Sequence, residues 1–493
     1  MSEEKVVVIG AGFAGLSAAT HLADAGEDVV IFEKNQSPGG RARNFEAEGF
    51  HFDMGPSWYW MPDVFENYFK KYGKKPGDYY QLVRLNPSYK VFYGVDDAME
   101  LPSALAEYTA ALEVLEPGIS EKLHRFLEQA AYKYQVGIHD LVHKPSLSLT
   151  EFARLSLVRD LLRLDLFQPM SKHVRKFFKN GKIIQLMEFP VLFLGETAQN
   201  IPALYSLMNY ADIVLGTWYP MGGMHEVVKG MVQLAEEKGV AIRLGEEVTQ
   251  INVHGGTAHS ITLSNGENIR CKAIVAGADY HYVDQQLLDK PWRNYSPHYW
   301  ENRTLAPSSL LFFLGIDIKL KNLQHHNLFF DEPLEAHADA IYKKPRWPER
   351  PLFYVSAPSV TDPSVAPPDK ENLFILIPLA PDLEDNEAIR EKYFHIVMDR
   401  LEKLTKQNIR QHITYKRSYA HRDFKKDYHA YKGNAYGLAN TLSQTAILKP
   451  SLKNKKVPNL FYAGQLTVPG PGVPPSLISG EVVAKEVIKK LKA

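Results

Sequence analysis

The strongest constraint on this chain lies in its first 33 residues. Lys5 to Gly10 carries an unbroken β-branched run, Gly10-Ala11-Gly12-Phe13-Ala14-Gly15 follows at once, and Leu16 to Ala25 has helical spacing that Gly26 stops. The pattern predicts a strand, a tight turn and a helix. Each glycine has a mechanical task in such a unit: Gly10 makes the turn, Gly12 lets the backbone approach a pyrophosphate, and Gly15 lets helix and strand pack closely. The helix N-terminus then faces the phosphates. A second strand, Asp28 to Glu33, ends in an acid 23 residues after Gly10. There a carboxylate accepts hydrogen bonds from both ribose hydroxyls of an adenosine and repels a 2′-phosphate. An ordinary glycine turn would not place strand, helix and acid at all of these offsets.

The 493 residues, 45% of them hydrophobic, exceed what one core accommodates, so two or more lobes are expected. Lys plus Arg and Asp plus Glu both total 57, which leaves no global field to gather the phosphates of a nucleic acid. The single cysteine, Cys271, cannot form an internal disulfide and reads as core filler in a reducing cytoplasm. Glu3, Glu4 and Lys5 run straight into the first strand without a signal-peptide pattern. The greasiest run, Leu305 to Ile316, contains Pro307 and is shorter than the roughly 20 apolar residues a spanning helix needs.

After Glu33 comes Pro38-Gly39-Gly40-Arg41-Ala42-Arg43, which resembles the glycine-glycine-arginine element of amine-oxidase-type flavoproteins. The resemblance implies FAD rather than NAD, with Gly40 closing a loop over the dinucleotide and Arg41 approaching its phosphates; Arg43 reads as a solvated neighbour. At the other end, Pro458 to Gly464 reads as a strand, and a loop rich in proline and glycine leads into a helix from Ser476 to about Leu491. This resembles the C-terminal flavin motif of the same family, which implies that Gly464, Gly472 and Val473 lie against the cofactor. Backbone donors at that helix start would face the pyrimidine end of the flavin. Gln465 departs from the small or acidic residue that many such flavoproteins carry after the glycine. In the middle, Val240 to Leu244, Glu247 to Ile251 and Ala273 to Asp279 are strand-like, and the family likeness places Val248 beside adenine.

Three further stretches, Gly49 to Trp58, Pro202 to Tyr210 and Leu215 to Met224, resemble bacterial carotenoid desaturases of the phytoene desaturase type, including 1-hydroxycarotenoid 3,4-desaturases. The likeness runs from Val6 to about Val487. It implies removal of hydrogen from adjacent carbons of a C40 carotenoid, hydride passing to the flavin. The expected architecture is α/β: a Rossmann-type FAD-binding domain from 1–85, 205–290 and 450–493, interleaved with an α+β substrate domain over 291–449 and a helical, membrane-facing region over 86–204. Strand candidates at Ser308 to Ile316, Leu352 to Ser356 and Leu373 to Leu379 would roof an apolar channel. Trp58, Tyr59, Trp60, Trp218 and Tyr219 are the aromatics favoured for that channel, against the plainer reading that they pack a core. No catalytic base is assigned; His139, Asp140 and His143 read as a solvated polar group, and no metal ligands are assigned.

One dinucleotide fingerprint leaves no second site for a nicotinamide, so a quinone or oxygen is the expected electron acceptor. The substrate would come from a bilayer, with the protein bound peripherally at the inner face of the cell membrane. The docking candidate is Arg154 to Lys182, with eight Lys or Arg against Asp160 and Asp165 and apolar residues at helical spacing. Three other functions share these motifs: non-redox polyene isomerisation, flavin amine oxidation, and polyene carriage without chemistry.

Overall fold

The computed structural model describes residues 4–152 and 164–492. Lys5–Ile9, Phe13–Asp24 and Val29–Glu33 form the expected strand, helix and strand. The first strand is the centre of a parallel array, paired with Val29–Glu33 on one side and with Asn268–Ala276 on the other. Ala241–Leu244 and Leu460–Tyr462 add the outer parallel strands. Such a sheet is covered on both faces, which is why its central strands, Lys5–Ile9 and Val29–Glu33, read as apolar runs rather than alternating. Val6, Val7 and Val8 are fully buried. The last helix, Val473–Leu491, packs beside the first, with Ser17 Oγ donating to Leu477 O at 2.7 Å. It begins three residues before the expected Ser476, because Pro474 and Pro475 are tolerated where a helix has no use for their missing N–H groups.

A second seven-stranded sheet runs in the order Ile413–Tyr419, Ser308–Ile316, Glu371–Leu379, Phe353–Ser356, His326–Phe329, Tyr89–Gly94 and Asp97–Leu101. Its last two strands come from the segment expected to be helical, and the parallel pairing of Asn327 to Phe329 with Lys90 to Phe92 joins that segment to the later one. Neighbours across strands share a face. Tyr354 opposes Leu376, and Leu376 opposes Leu311, so these three make one row across the sheet. The helix Ile119–His139 packs against the helices Leu105–Leu115, Met170–Phe177 and Leu207–Tyr210.

The family-like stretches meet where the two sheets join. Asp53 accepts from Met224 N at 2.7 Å and His225 N at 3.1 Å, at the start of the helix His225–Glu237. Burial pushes the Asp53 carboxyl up to about 7. Trp218 N donates to Tyr59 O at 3.1 Å, and Trp60 Nε1 donates to Thr217 Oγ1 at 2.9 Å. Cys271 is buried, and desolvation pushes its thiol up to about 12, which keeps it an inert core residue.

Candidate functional site

A cavity of about 400 Å³ runs between the two sheets. At one end its wall is backbone. Gly10, Gly12 and Glu33 come from the first strand-turn-helix and the strand that follows, Gly40 and Arg41 from the next loop, Val248 and Ala278 from the middle of the chain, and Gly464, Gly472 and Val473 from its end. Gly15 lies behind this wall. A Cβ there would sit 1.9 Å from Gly10 O, so its hydrogen is what permits strand and helix to touch. Gly12 is different: a Cβ would meet only Gly40 Cα, at 4.0 Å, and would otherwise project into open space. The cradle is therefore open where a phosphate needs to approach, and the first helix has no side-chain cap competing for its N-terminal amides.

Glu33 is 5% exposed, and its two oxygens are already anchored. Oε2 accepts from Ala11 N at 2.9 Å, and Oε1 accepts from Asn35 N at 2.9 Å and Asn35 Nδ2 at 2.8 Å. Each carboxylate oxygen keeps further acceptor capacity for a hydroxyl. Arg41 is half-buried beside the cavity, where desolvation lowers its pKa and the nearby Asp279 opposes that shift. Burial in turn pushes Asp279 up to about 6 against the pull of Arg41. The guanidinium donates to Asn434 O at 3.3 Å, lies 5.2 Å from the Tyr428 ring centroid, and reaches the Gln465 amide oxygen at 2.9 Å with that amide turned to satisfy both groups. Gln465, the departure from the family pattern, thus meets the cation with a neutral oxygen and leaves its charge for an anion. Arg43 is committed elsewhere, to Asp427 at 2.8 Å.

At the last helix, Pro474 and Pro475 carry no N–H and Ser476 N bonds to Gly472 O. Val473 is left as the first-turn residue whose N–H has no use within the helix. The donor set of this end, helix N-terminal amides plus one half-buried arginine and a ribose acceptor, fits a dinucleotide carrying a flavin.

Sequence comparison agrees with that fit. Residues 13–488 match the family described as flavin containing amine oxidoreductase. The chain belongs to this family. FAD is its cofactor, and Gly12, Glu33, Arg41 and the amides of the first and last helices are the groups that would hold it. The flavoprotein is 39% identical to a carotenoid 3,4-desaturase of Haloarcula japonica over all of this chain and 99% of that one. It is 31% identical to a zeta-carotene-forming phytoene desaturase of Myxococcus xanthus, covering 98% of this chain and 94% of the relative. Among solved structures, an oxidoreductase of Methanosarcina mazei matches with a TM-score of 0.65 at 16% identity, over 98% of this chain and all of that one. Putrescine oxidase bound to putrescine matches at 0.62 and 13% identity, over 99% of each chain. Both structures share the fold.

The other end of the cavity is side chain. Trp58 and Trp60 line it, together with Leu194, Met208 and the sheet row Leu311, Leu376 and Tyr354. The remaining three aromatics lie elsewhere. Tyr59 is buried with its hydroxyl 2.9 Å from that of Tyr80 and its ring stacked on Phe65. Trp218 donates to Leu215 O at 2.9 Å under the Arg84 guanidinium. Tyr219 faces away toward Asp362, 3.3 Å from its hydroxyl. Trp218–Pro220 pairs antiparallel with Leu82–Arg84, and neither strand contributes a residue to the cavity lining. His139 bonds Asp63 at 3.2 Å and His143 faces Glu481, both away from the cavity.

Sequence reasoning missed Asp427, Tyr428 and His429, which close over the dinucleotide end from the helix His421–Tyr428. His429 Nε2 lies 2.6 Å from Glu247 and its ring stacks on Tyr282 at 3.8 Å. No motif surrounds these residues, and their role depends on the second lobe folding back onto the first.

Proposed function

We propose that the flavoprotein is a carotenoid desaturase, an oxidoreductase acting on CH–CH groups of an acyclic or open-ended C40 carotenoid. The observation that carries this reading is the chemistry of the far end of the cavity. Its acids, Glu33, Glu247, Asp279 and Asp427, all sit around the dinucleotide, whereas the wall below the second sheet offers Leu194, Met208, Leu311 and Leu376 between two tryptophans. A wall of that kind holds a polyene by contact alone and gives a cationic amine no counter-ion. The relatives' names point the same way.

FAD, when bound, supplies the hydride acceptor. The chain's own contribution is to exclude water and to hold two adjacent carbons in line with that acceptor, which makes the encounter effectively intramolecular. A quinone or oxygen is the proposed final acceptor.

Delivery from a membrane belongs to the same proposal, with part of its surface revised. Among the described residues no helix is long and apolar enough to cross a membrane. Arg154, Leu155, Val158, Arg159, Asp160, Leu162 and Arg163 lie outside the described residues. Of the rest, Val174 and Phe178 are buried and cannot enter a bilayer, because the helix Met170–Phe177 turns them into the core. Lys172, Arg175, Lys176 and Lys179 are exposed, and Phe167 is 86% exposed. The proposed dock is therefore a basic surface with Phe167 as its apolar contact, at the inner face of the cell membrane.

The test is anaerobic mixing of the flavin-loaded protein with phytoene or a 1-hydroxycarotenoid in liposomes. Desaturation bleaches the flavin and yields a product lighter by two hydrogens. Isomerisation leaves the mass unchanged, and neither bleaching nor a new product leaves only carriage.

A further inference from the structure

The far wall contains one polar device that neither cofactor binding nor apolar contact explains. Ser57 and Tyr354 both line the cavity, and their hydroxyls are 2.9 Å apart. The Tyr354 hydroxyl lies 2.6 Å from His326 Nδ1. His326 is fully buried, and its Nε2 has no partner. Its ring stacks on Trp58 with centroids 4.1 Å apart and planes 9° from parallel. Strand register assembles the group: His326 opposes Ser356, which places it diagonally next to Tyr354 on one face of the sheet.

The direction of these hydrogen bonds is set by the imidazole tautomer. Burial holds His326 far below the usual histidine pKa, so the ring is neutral and carries one proton. With that proton on Nε2, Nδ1 accepts from the Tyr354 hydroxyl, and the Tyr354 oxygen accepts from Ser57. The Ser57 oxygen, on a residue that lines the cavity, then keeps acceptor capacity of its own. Ser57 also lines a second, small cavity of about 30 Å³, shared with Asp53, His325 and Tyr219, which is large enough for a water molecule.

We propose that Ser57, Tyr354 and His326 form the proton-accepting relay of the desaturation. The inference rests on the carotenoid reading above. Desaturation breaks two C–H bonds: one hydrogen leaves with its electron pair for the bound FAD, and the other leaves as a proton while its electron pair becomes the new π bond. The proton goes to the Ser57 oxygen, the Ser57 proton moves to the Tyr354 oxygen, and the Tyr354 proton moves to His326 Nδ1. The resulting imidazolium lies against the face of Trp58, which offsets part of the cost that burial imposes on the charge. Return of the proton through Ser57 to the small cavity resets the chain. Ser57 is the catalytic residue of the three, and Tyr354 and His326 act through it.

The experiment compares the parent with Ser57→Ala, Tyr354→Phe and His326→Gln, all flavin-loaded. Anaerobic flavin bleaching by whichever of phytoene or a 1-hydroxycarotenoid bleaches the parent is expected to slow by about 10²- to 10⁴-fold, the usual range for a lost acid-base group. Affinity for the same carotenoid, titrated into dithionite-reduced protein, is expected to stay within threefold of the parent by the order-of-magnitude standard for a lost neutral hydrogen bond. A readout independent of turnover is ¹⁵N NMR of histidine-labelled protein. It is expected to show His326 as a neutral ring accepting at Nδ1, with a resonance that moves in Tyr354→Phe while His325 stays in place. Should His326→Gln not fold, the other two variants decide. Bleaching at the parental rate in both, a rate loss matched by an equal loss of affinity, or a proton found on His326 Nδ1 would overturn the relay. A parent flavin that neither carotenoid bleaches removes the desaturase reading and the relay with it, an outcome distinct from failure of the relay alone.

Discussion

At the dinucleotide end the cavity wall is backbone from a few short motifs, whereas at the far end it is side chain from segments as distant as Ser57 and Tyr354, 297 residues apart. The difference follows from what each end must hold. Phosphates and ribose hydroxyls are gripped by N–H groups and one carboxylate, which a strand, turn and helix present at fixed offsets. A hydrocarbon is gripped by shape, and shape emerges only when a row such as Tyr354, Leu376 and Leu311 is assembled across three strands. Changes at one end should accordingly leave the other intact.

The largest effect is expected at Glu33. Glu33→Lys replaces the acceptor of Ala11 N with a buried, unpaired cation, a change of about 3–5 kcal/mol, so FAD affinity should fall by about two to three and a half orders of magnitude. Equilibrium dialysis of the folded variant checks this, and retained flavin would show that the first end does not depend on that carboxylate. Next comes Leu376→Trp, which fills the far end at an overpacking cost of about 1–3 kcal/mol. Flavin content should match the parent while carotenoid turnover drops at least tenfold; loss of flavin instead would mean that the two ends are not separable.

A smaller effect is expected at the surface. Replacing Lys172, Lys176 and Lys179 with Gln removes about 1 kcal/mol of attraction to anionic lipid per charge. Sedimentation with anionic liposomes should weaken at low salt, with turnover of detergent-dispersed carotenoid unchanged. The smallest is Tyr59→Phe, which deletes one buried hydroxyl contact with Tyr80. It should lower stability by about 1 kcal/mol in a urea titration and leave turnover at the parental level. A tenfold loss of activity would return Tyr59 to the channel from which its position excludes it.

The amino-acid sequence by itself determined the strand, turn and helix that open the dinucleotide end. Gly10, Gly12, Gly15 and Glu33 act within one local unit, and the first two strands and the helix between them follow from periodicity, although the helix begins at Phe13, three residues before the expected Leu16. Strands at Ser308–Ile316, Phe353–Ser356 and Glu371–Leu379 were legible as well, since buried strands read as apolar runs. Only the tertiary structure decided which aromatics face the cavity: Trp58, Tyr59 and Trp60 are adjacent in sequence, yet the backbone turns the middle ring into a core with Phe65 and Tyr80. It also decided that Tyr89–Gly94 and Asp97–Leu101 join the far sheet, and that Tyr428 and His429 return to the cofactor end. The physical reason is range. A phosphate cradle is written in residues a few positions apart, whereas strand pairing and lobe closure are set by contacts between segments far apart in the chain, for which local pattern carries no signal.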